Sequence, residues 1–282
     1  MSLDKKGRDL MEAIKKFSSS HSHLDVNELR IIIALERAIA RIENSPKLAR
    51  HLIFKGGFVL LKTLETIRFT RDLDALAFEI AQKEVPDLMI EALETNLHDG
   101  VWFGDIVVKR LGTQEAQKAL RFDLVFQIGS PPQEKEKLKK LSRIHIDVGF
   151  GDELSHPTKQ KMESILPSQE PISWVIYPIE YIFSEKLQTL LFRGSANSRA
   201  KDVYDLNLLF PKCDKGKILE AIKTTLKTRN TLMPKSFFSE INNLNTLVLS
   251  HAWKSIQLSE KLSFEEHWEK LLEHLKELDK LL

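Results

Sequence analysis

The chain's strongest constraint is Lys55-Gly56-Gly57, followed closely by Arg71-Asp72-Leu73-Asp74. A glycine pair leading into Phe58, Val59, Leu60, Leu61 and Leu64 reads as a turn that opens a short apolar helix. Gly-Gly lets backbone approach a ligand closely, and N–H groups at a helix N-terminus favour phosphate. Asp72 and Asp74 are two apart, so on a strand both side chains leave the same face. Paired carboxylates repel unless a cation lies between them, and Mg²⁺ takes one or two protein carboxylates plus substrate phosphates. A solvated turn would also accommodate Asp-X-Asp. Here, however, the pair is embedded among Leu73, Leu76, Ala77 and Phe78, in a strand where Asp is disfavoured. A phosphate cradle beside metal-binding carboxylates is what nucleotidyl transfer requires.

A third acid would complete a two-metal site, and two candidates lie on predicted strands. Asp147 sits in Arg143-Ile144-His145-Ile146-Asp147-Val148-Gly149, and Asp123 in Leu120-Arg121-Phe122-Asp123-Leu124. A buried Asp needs a partner or a metal. The competing reading is an ion pair with an arginine of the same strand, Asp123 with Arg121 or Asp147 with Arg143. Gly149 and Gly151 follow Asp147 and would open space for a ligand, which favours Asp147.

The first fifty residues read as helical, with Asp25 as an N-cap and Glu28 completing a capping box before the apolar face from Val26 to Ile42. His51 to Phe54 reads as a strand delivering the glycine turn, and Asp72 to Phe78 as the carboxylate strand. Lys83 to Leu97 reads as a helix with Pro86 in its first turn. Strands are expected over Val101–Leu111, Leu120–Ile128 and Arg143–Phe150, with Gln133 to Lys140 a solvated charged loop. From Pro178 onward the pattern is helical: Ile179–Phe192, Arg199–Phe210, Lys215–Lys227, and an amphipathic tail capped by Ser263 and Glu266. The expected class is therefore α+β, an antiparallel-type or mixed sheet with flanking helices followed by an all-helical C-terminal region.

Lys186 interrupts the apolar stripe of Ile179, Ile182 and Leu190. On the next helix Asp202 falls on the stripe of Val203, Leu206, Leu209 and Phe210, and Asp205 lies three residues along. Opposite charges on two inward-looking faces mean either a buried ion pair or a lined cleft. A lysine snorkelling at the edge of its face is the alternative.

Composition bounds the rest. At 282 residues, 42% hydrophobic and 29% charged, the chain can bury a real core. A net charge of +2 does not by itself indicate nucleic acid. The single cysteine, Cys213, excludes an internal disulfide framework and fits a reducing compartment. Asp4, Lys5, Lys6, Arg8 and Asp9 leave no apolar signal-peptide core, and no apolar run approaches the roughly 20 residues that span a bilayer. A soluble cytoplasmic protein is expected.

These pieces together resemble the nucleotidyltransferase AbiEii/AbiGii toxin family of the DNA polymerase β-like superfamily. Lys55-Gly56-Gly57-Phe58-Val59-Leu60 looks like its KGG-x-x-L turn, Arg71-Asp72-Leu73-Asp74 like a shortened R-x-x-D-x-D segment, and Ile144 to Asp147 like its third-acid strand. Ser184-Glu185-Lys186-Leu187 and Arg199-Ala200-Lys201-Asp202-Val203-Tyr204-Asp205-Leu206 resemble its E-K-L and R-x-K-D-x-Y-D-L helices. The resemblance covers roughly Leu52 to Phe210; with the helical patterns on either side, the expected division is a helical segment over 1–50, a nucleotidyltransferase core over 51–176 and a helical domain over 177–282. The resemblance implies a toxin-like enzyme that moves a nucleotide from NTP to an acceptor, a tRNA 3′ end or a protein in relatives, with a cognate antitoxin as a possible partner. Asp72, Asp74 and Asp147 would hold Mg²⁺ or Mn²⁺. Lys55, Gly56, Gly57, Arg71 and Lys186 would contact the nucleotide, and Asp205 would complete the catalytic set. The rival classes are a nucleotidyltransferase of the same fold acting on a small molecule, and a non-catalytic nucleotide-binding protein. A basic stretch of Lys215, Lys217, Lys223, Lys227, Arg229 and Lys235 leans toward RNA.

Overall fold

Alternation along the strands decides how the sheet is used. On one face Leu73, Ala75, Phe122, Leu124, Ile144, Ile146 and Val148 are fully buried. The intervening residues Asp72, Asp74, Arg121, Asp123, His145 and Asp147 are half-buried on the other face. In the computed structural model, which describes residues 3–21, 24–64, 66, 68–113, 116–167, 169–256 and 262–282, the chain divides into two compact units. One comprises Met1–Glu65, Phe69–Gly151 and Thr158–Ile176; the other comprises Thr66–Arg68, Asp152–Pro157 and Tyr177–Leu282.

The first unit contains α1 (Leu3–Ser20), α2 (Val26–Glu43), β1 (Leu52–Lys55), α3 (Gly56–Thr63), β2 (Asp72–Ala77), α4 (Val85–Glu94), β3 (Val101–Thr113), β4 (Ala116–Ile128), α5 (Lys135–Leu138), β5 (Arg143–Phe150), β6 (Thr158–Met162) and β7 (Ile172–Ile176). The seven strands form one sheet in the order β3-β4-β5-β2-β1-β7-β6. It is mixed: β2 pairs with β5 and β1 with β7 in parallel, and the remaining neighbours are antiparallel. Helix α2 packs against β7, β5, α4 and α1, which explains its run of buried residues from Ile31 to Leu35. Its start is the expected capping box, with Asp25 accepting from the Glu28 amide and Glu28 accepting from the Asp25 amide.

Two contacts fix the glycine turn. Phe54 before it and Phe58 after it both pack on the fully buried Trp174 of β7, at ring-centroid distances of 5.9 and 6.4 Å. Lys62 near the end of α3 bonds the buried Glu36 of α2 at 2.8 Å, and Glu36 also accepts from the Ser164 hydroxyl and the Ile165 amide. A buried carboxylate with this many donors is satisfied, so it locks α3 onto α2.

Glu43, at the C-terminal end of α2, is different. Its Oε1 is buried with no hydrogen-bond partner among the described residues. Burial pushes its carboxyl up to about 7, against the opposing Lys159 charge and Val175 amide. Because the folded-state pKa is raised, the folded chain holds a proton that the unfolded chain has lost. Stability from this group therefore falls as pH rises from about 4 to 7. We expect Glu43→Gln to raise the melting temperature at pH 8 and to leave it unchanged at pH 4. An equal change at both pH values in a thermal melt would contradict this.

The second unit contains α6 (Ile179–Arg193), α7 (Ala200–Leu209), α8 (Lys215–Thr228), α9 (Phe237–Asn242), α10 (Leu247–Trp253) and α11 (Phe264–Asp279). Helix α6 packs on α7, α8 and α9, and α11 on α7, α9 and α10. An aromatic column runs Tyr204, His267, Trp253, Phe264, Trp268, with neighbouring ring centroids 5.9, 5.0, 5.7 and 5.9 Å apart. Asp279 caps α9 by accepting from the Phe237 and Phe238 amides and the Ser236 hydroxyl.

Candidate active site

Register brings the three predicted acids of the first unit together. Asp74 of β2 lies opposite Asp147 of β5, and Asp72 opposite His145. Partners in a parallel ladder share a face, so Asp72, Asp74 and Asp147 stand on one sheet surface. Lys55 is the register partner of Asp74 on its other side. Gly56 has φ +75°, and a Cβ there would overlap the Asp74 carboxylate. Only glycine fits, both for its backbone and for the carboxylate packed on it. Lys55 is the N-cap of α3 and makes no side-chain cap, and Gly57 is buried in its first turn. Arg71 is exposed at the entry to β2.

The expected same-strand ion pairs are crossed. Arg121 of β4 forks Asp147 of β5, with Nε donating to Oδ1 at 2.8 Å and Nη2 to Oδ2 at 2.7 Å. Arg143 of β5 donates to Asp123 of β4 and to Asp105, the latter at 2.8 Å, while Lys109 reaches Asp123 at 3.2 Å. The hydrogen bond to Asp147, with the nearby charges of Asp147, Asp72 and Asp74, pushes the Arg121 pKa further up. Burial works to raise the Asp123 carboxyl, but Arg143 and Lys109 outweigh it and hold it below its ordinary value. Asp123 thus lies one strand farther from the Asp72–Asp74 pair than Asp147 and is already bound by two cations.

These donors suit a hard divalent cation, because Mg²⁺ and Mn²⁺ prefer carboxylate oxygen and Mg²⁺ needs only one or two protein carboxylates. Among the described residues no group of three or more His, Cys, Asp or Glu is arranged to hold an ion. Asp72 and Asp74, two apart on β2 and on the face they share with Asp147, are a pair of the kind one such ion takes.

The predicted residues of the second unit also come together. Lys186 of α6 is buried and reaches Asp205 at 2.7 Å and Asp202 at 3.0 Å on α7. Arg68 forks Asp205 at 2.9 and 3.0 Å, and Arg199 reaches Asp202 at 2.7 Å. Both carboxylates are fully buried. Burial works to raise Asp202 and to lower Lys186, but their mutual charges and Arg199 win. Asp202 is held down to about 2, and the Lys186 pKa stays above its ordinary value. Three cations, Arg68, Lys186 and Arg199, thus converge on two carboxylates. Half-buried Lys201 adds to the positive charge; burial and the charges of Arg199, Arg68 and Lys186 lower its pKa.

Sequence reasoning misses Arg68, whose signal is a cation set between Ile67 and Phe69. It reads Arg121 only as a same-strand partner. It also places Arg229 on a basic surface, yet Arg229 is tied to Glu185 at 3.0 Å and Asp152 at 3.7 Å. Lys215, Lys217 and Lys223 are exposed, as is Lys227. A cavity of about 430 Å³, lined by Asn245, Thr246, Phe264 and Trp268 among others, lies in the second unit and includes none of these acids.

The fold and the sequence each have relatives. The structure of JHP933 from Helicobacter pylori matches with a TM-score of 0.57 at 16% identity, covering 91% of this chain and 94% of that one. MenT4, a nucleotidyltransferase toxin from Mycobacterium tuberculosis, matches with a TM-score of 0.53 at 17% identity, covering 96% of this chain and 97% of that one. At these identities the likeness shows a common fold. No curated protein matches. Among the described residues no helix is long and apolar enough to cross a membrane. The model of the nucleotidyl transferase AbiEii toxin family, of type IV toxin–antitoxin systems, matches residues 37–281. The chain belongs to that family, and it is a nucleotidyltransferase.

Proposed function

We propose that this enzyme transfers a nucleotidyl group from an NTP to an RNA acceptor, with tRNA the favoured class, and that it uses Mg²⁺ or Mn²⁺ held by Asp72 and Asp74 with Asp147 as a further ligand. The observation that carries this reading is the alignment of three carboxylates on one sheet face, with a glycine turn packed on the middle one. Held by Asp72 and Asp74, such an ion would supply positive charge and Lewis acidity to the triphosphate. The glycine turn of Gly56 and Gly57 lets substrate approach the backbone, with Lys55 and Arg71 supplying positive charge beside it. Asp147 would take the proton of the acceptor hydroxyl. Lys186 is proposed to meet polyphosphate charge, because Arg68 and Arg199 already give Asp205 and Asp202 a cation each, and Asp205 orients it.

The exposed lysines of α8 support RNA as acceptor, since phosphate contacts of this kind dominate nucleic-acid affinity. A cognate antitoxin follows from the type IV system, and a cytoplasmic site of action is part of the same reading. Incubating the protein with each labelled NTP and total tRNA tests it directly. Metal-dependent label on tRNA is the expected result. Label on a small molecule or protein, with none on RNA, would transfer the assignment to the second acceptor class.

A further inference from the structure

Asp147 is the acid that stands in register with Asp74, and its carboxylate is occupied. Arg121 covers both oxygens in the fork geometry that makes arginine–carboxylate pairs strong. The same guanidinium lies within the field of Asp72 and Asp74. Its side chain is 36% exposed, against 20% for Asp147, so the pair sits at the open surface of the sheet rather than in the core. A long side chain in that position has room to leave its partner. Asp123, on the arginine's own strand, has its own cations in Arg143 and Lys109 and offers no competing claim.

We propose that Arg121 is a built-in gate on the third carboxylate: it holds Asp147 in the metal-free enzyme, and a divalent cation must displace it to recruit Asp147. The inference rests on the reading of Asp72, Asp74 and Asp147 as metal ligands. It adds a residue that sets how readily the cluster loads. The physical basis is competition. The guanidinium fork takes a lone pair on each oxygen and neutralises the carboxylate's charge, so the two cations compete for Asp147.

The test is Mn²⁺ binding to nucleotide-free protein, followed by calorimetry and by the loss of the free-ion paramagnetic signal. It needs no turnover. Arg121→Gln should bind Mn²⁺ roughly tenfold more tightly than wild type, the scale expected when a bidentate charge-assisted contact stops competing. Arg121→Lys keeps the charge but loses the fork, and should fall between the two. Once Asp147→Asn is introduced, adding Arg121→Gln should change the affinity much less, since only the arginine's through-space charge on Asp72 and Asp74 is left to remove. Unchanged or weaker binding in Arg121→Gln overturns the gate. So does an Arg121→Lys affinity equal to wild type, which would reduce the arginine to a through-space charge. If Mn²⁺ binds wild type and Asp74→Asn alike, the metal-site reading itself fails and the gate falls with it. If Asp74→Asn abolishes binding while Arg121→Gln has no effect, only the gate fails. Melting curves of both arginine variants confirm that folded protein is being compared.

Discussion

Asp74→Asn, and separately Asp72→Asn, should lower nucleotide transfer by about 10³-fold or more, the loss expected when metal-supplied charge stabilisation of several kcal/mol is removed. The change is nearly isosteric, so packing against Gly56 is kept while the charge is lost. Both side chains are half-buried on the sheet's polar face, and none of the fully buried apolar residues beneath them is touched. The fold should therefore survive. Relief of like-charge repulsion between Asp72 and Asp74 can even raise the melting temperature of the metal-free protein. A second readout separates chemistry from folding: Mn²⁺ should raise the melting temperature of wild type and not of either variant. Wild-type turnover in either variant would sink the metal assignment.

What the sequence makes legible follows from range. Local signals read correctly. The Asp25 capping box, the strand from Arg143 to Phe150 and the helices beginning near Ile179, Ala200 and Lys215 all depend on residues a few positions apart. The α+β class follows from them. Weakly patterned elements escape. Strand β6 is Thr-Lys-Gln-Lys-Met at a sheet edge, mostly exposed, and carries almost no apolar alternation. Strand β7 follows Pro171 and has only five residues, and the short helices α5, α9 and α10 have too few turns to show a period. Side-chain partnerships are the least legible. Asp147 and Arg121 are 26 positions apart, and Arg68 and Asp205 are 137 apart. Strand register and tertiary packing decide such pairs, and neither is written in local spacing. One sequence can place the acids on a common face, but it cannot say which arginine will claim which acid.

Lys186→Ala should cost about 3 kcal/mol of stability, the lower end for stripping a buried carboxylate of a partner. The lower end applies because Arg68 and Arg199 would still neutralise Asp205 and Asp202 one to one. A melting temperature lower by roughly 6–12 °C corresponds to that loss in a domain of this size. The network's charge state will not blur the measurement near neutrality. Asp202 is held down to about 2, so its contribution is complete above the ordinary carboxyl pKa of about 4 and is lost as pH falls through 2. Instability alone would not show what the third cation is for, and Lys186→Met separates the roles. Methionine fills much of the same volume, leaves two arginine–aspartate pairs, and replaces buried charge by apolar packing, which is often neutral or better for stability. If Lys186 served only to hold α6 against α7, the methionine variant would fold and transfer nucleotide like wild type. If Lys186 meets the polyphosphate, the variant should fold with near wild-type melting and lose NTP affinity or turnover by about 10²-fold, as for other positioned transition-state cations. Wild-type kinetics in a well-folded Lys186→Met would reject the catalytic role.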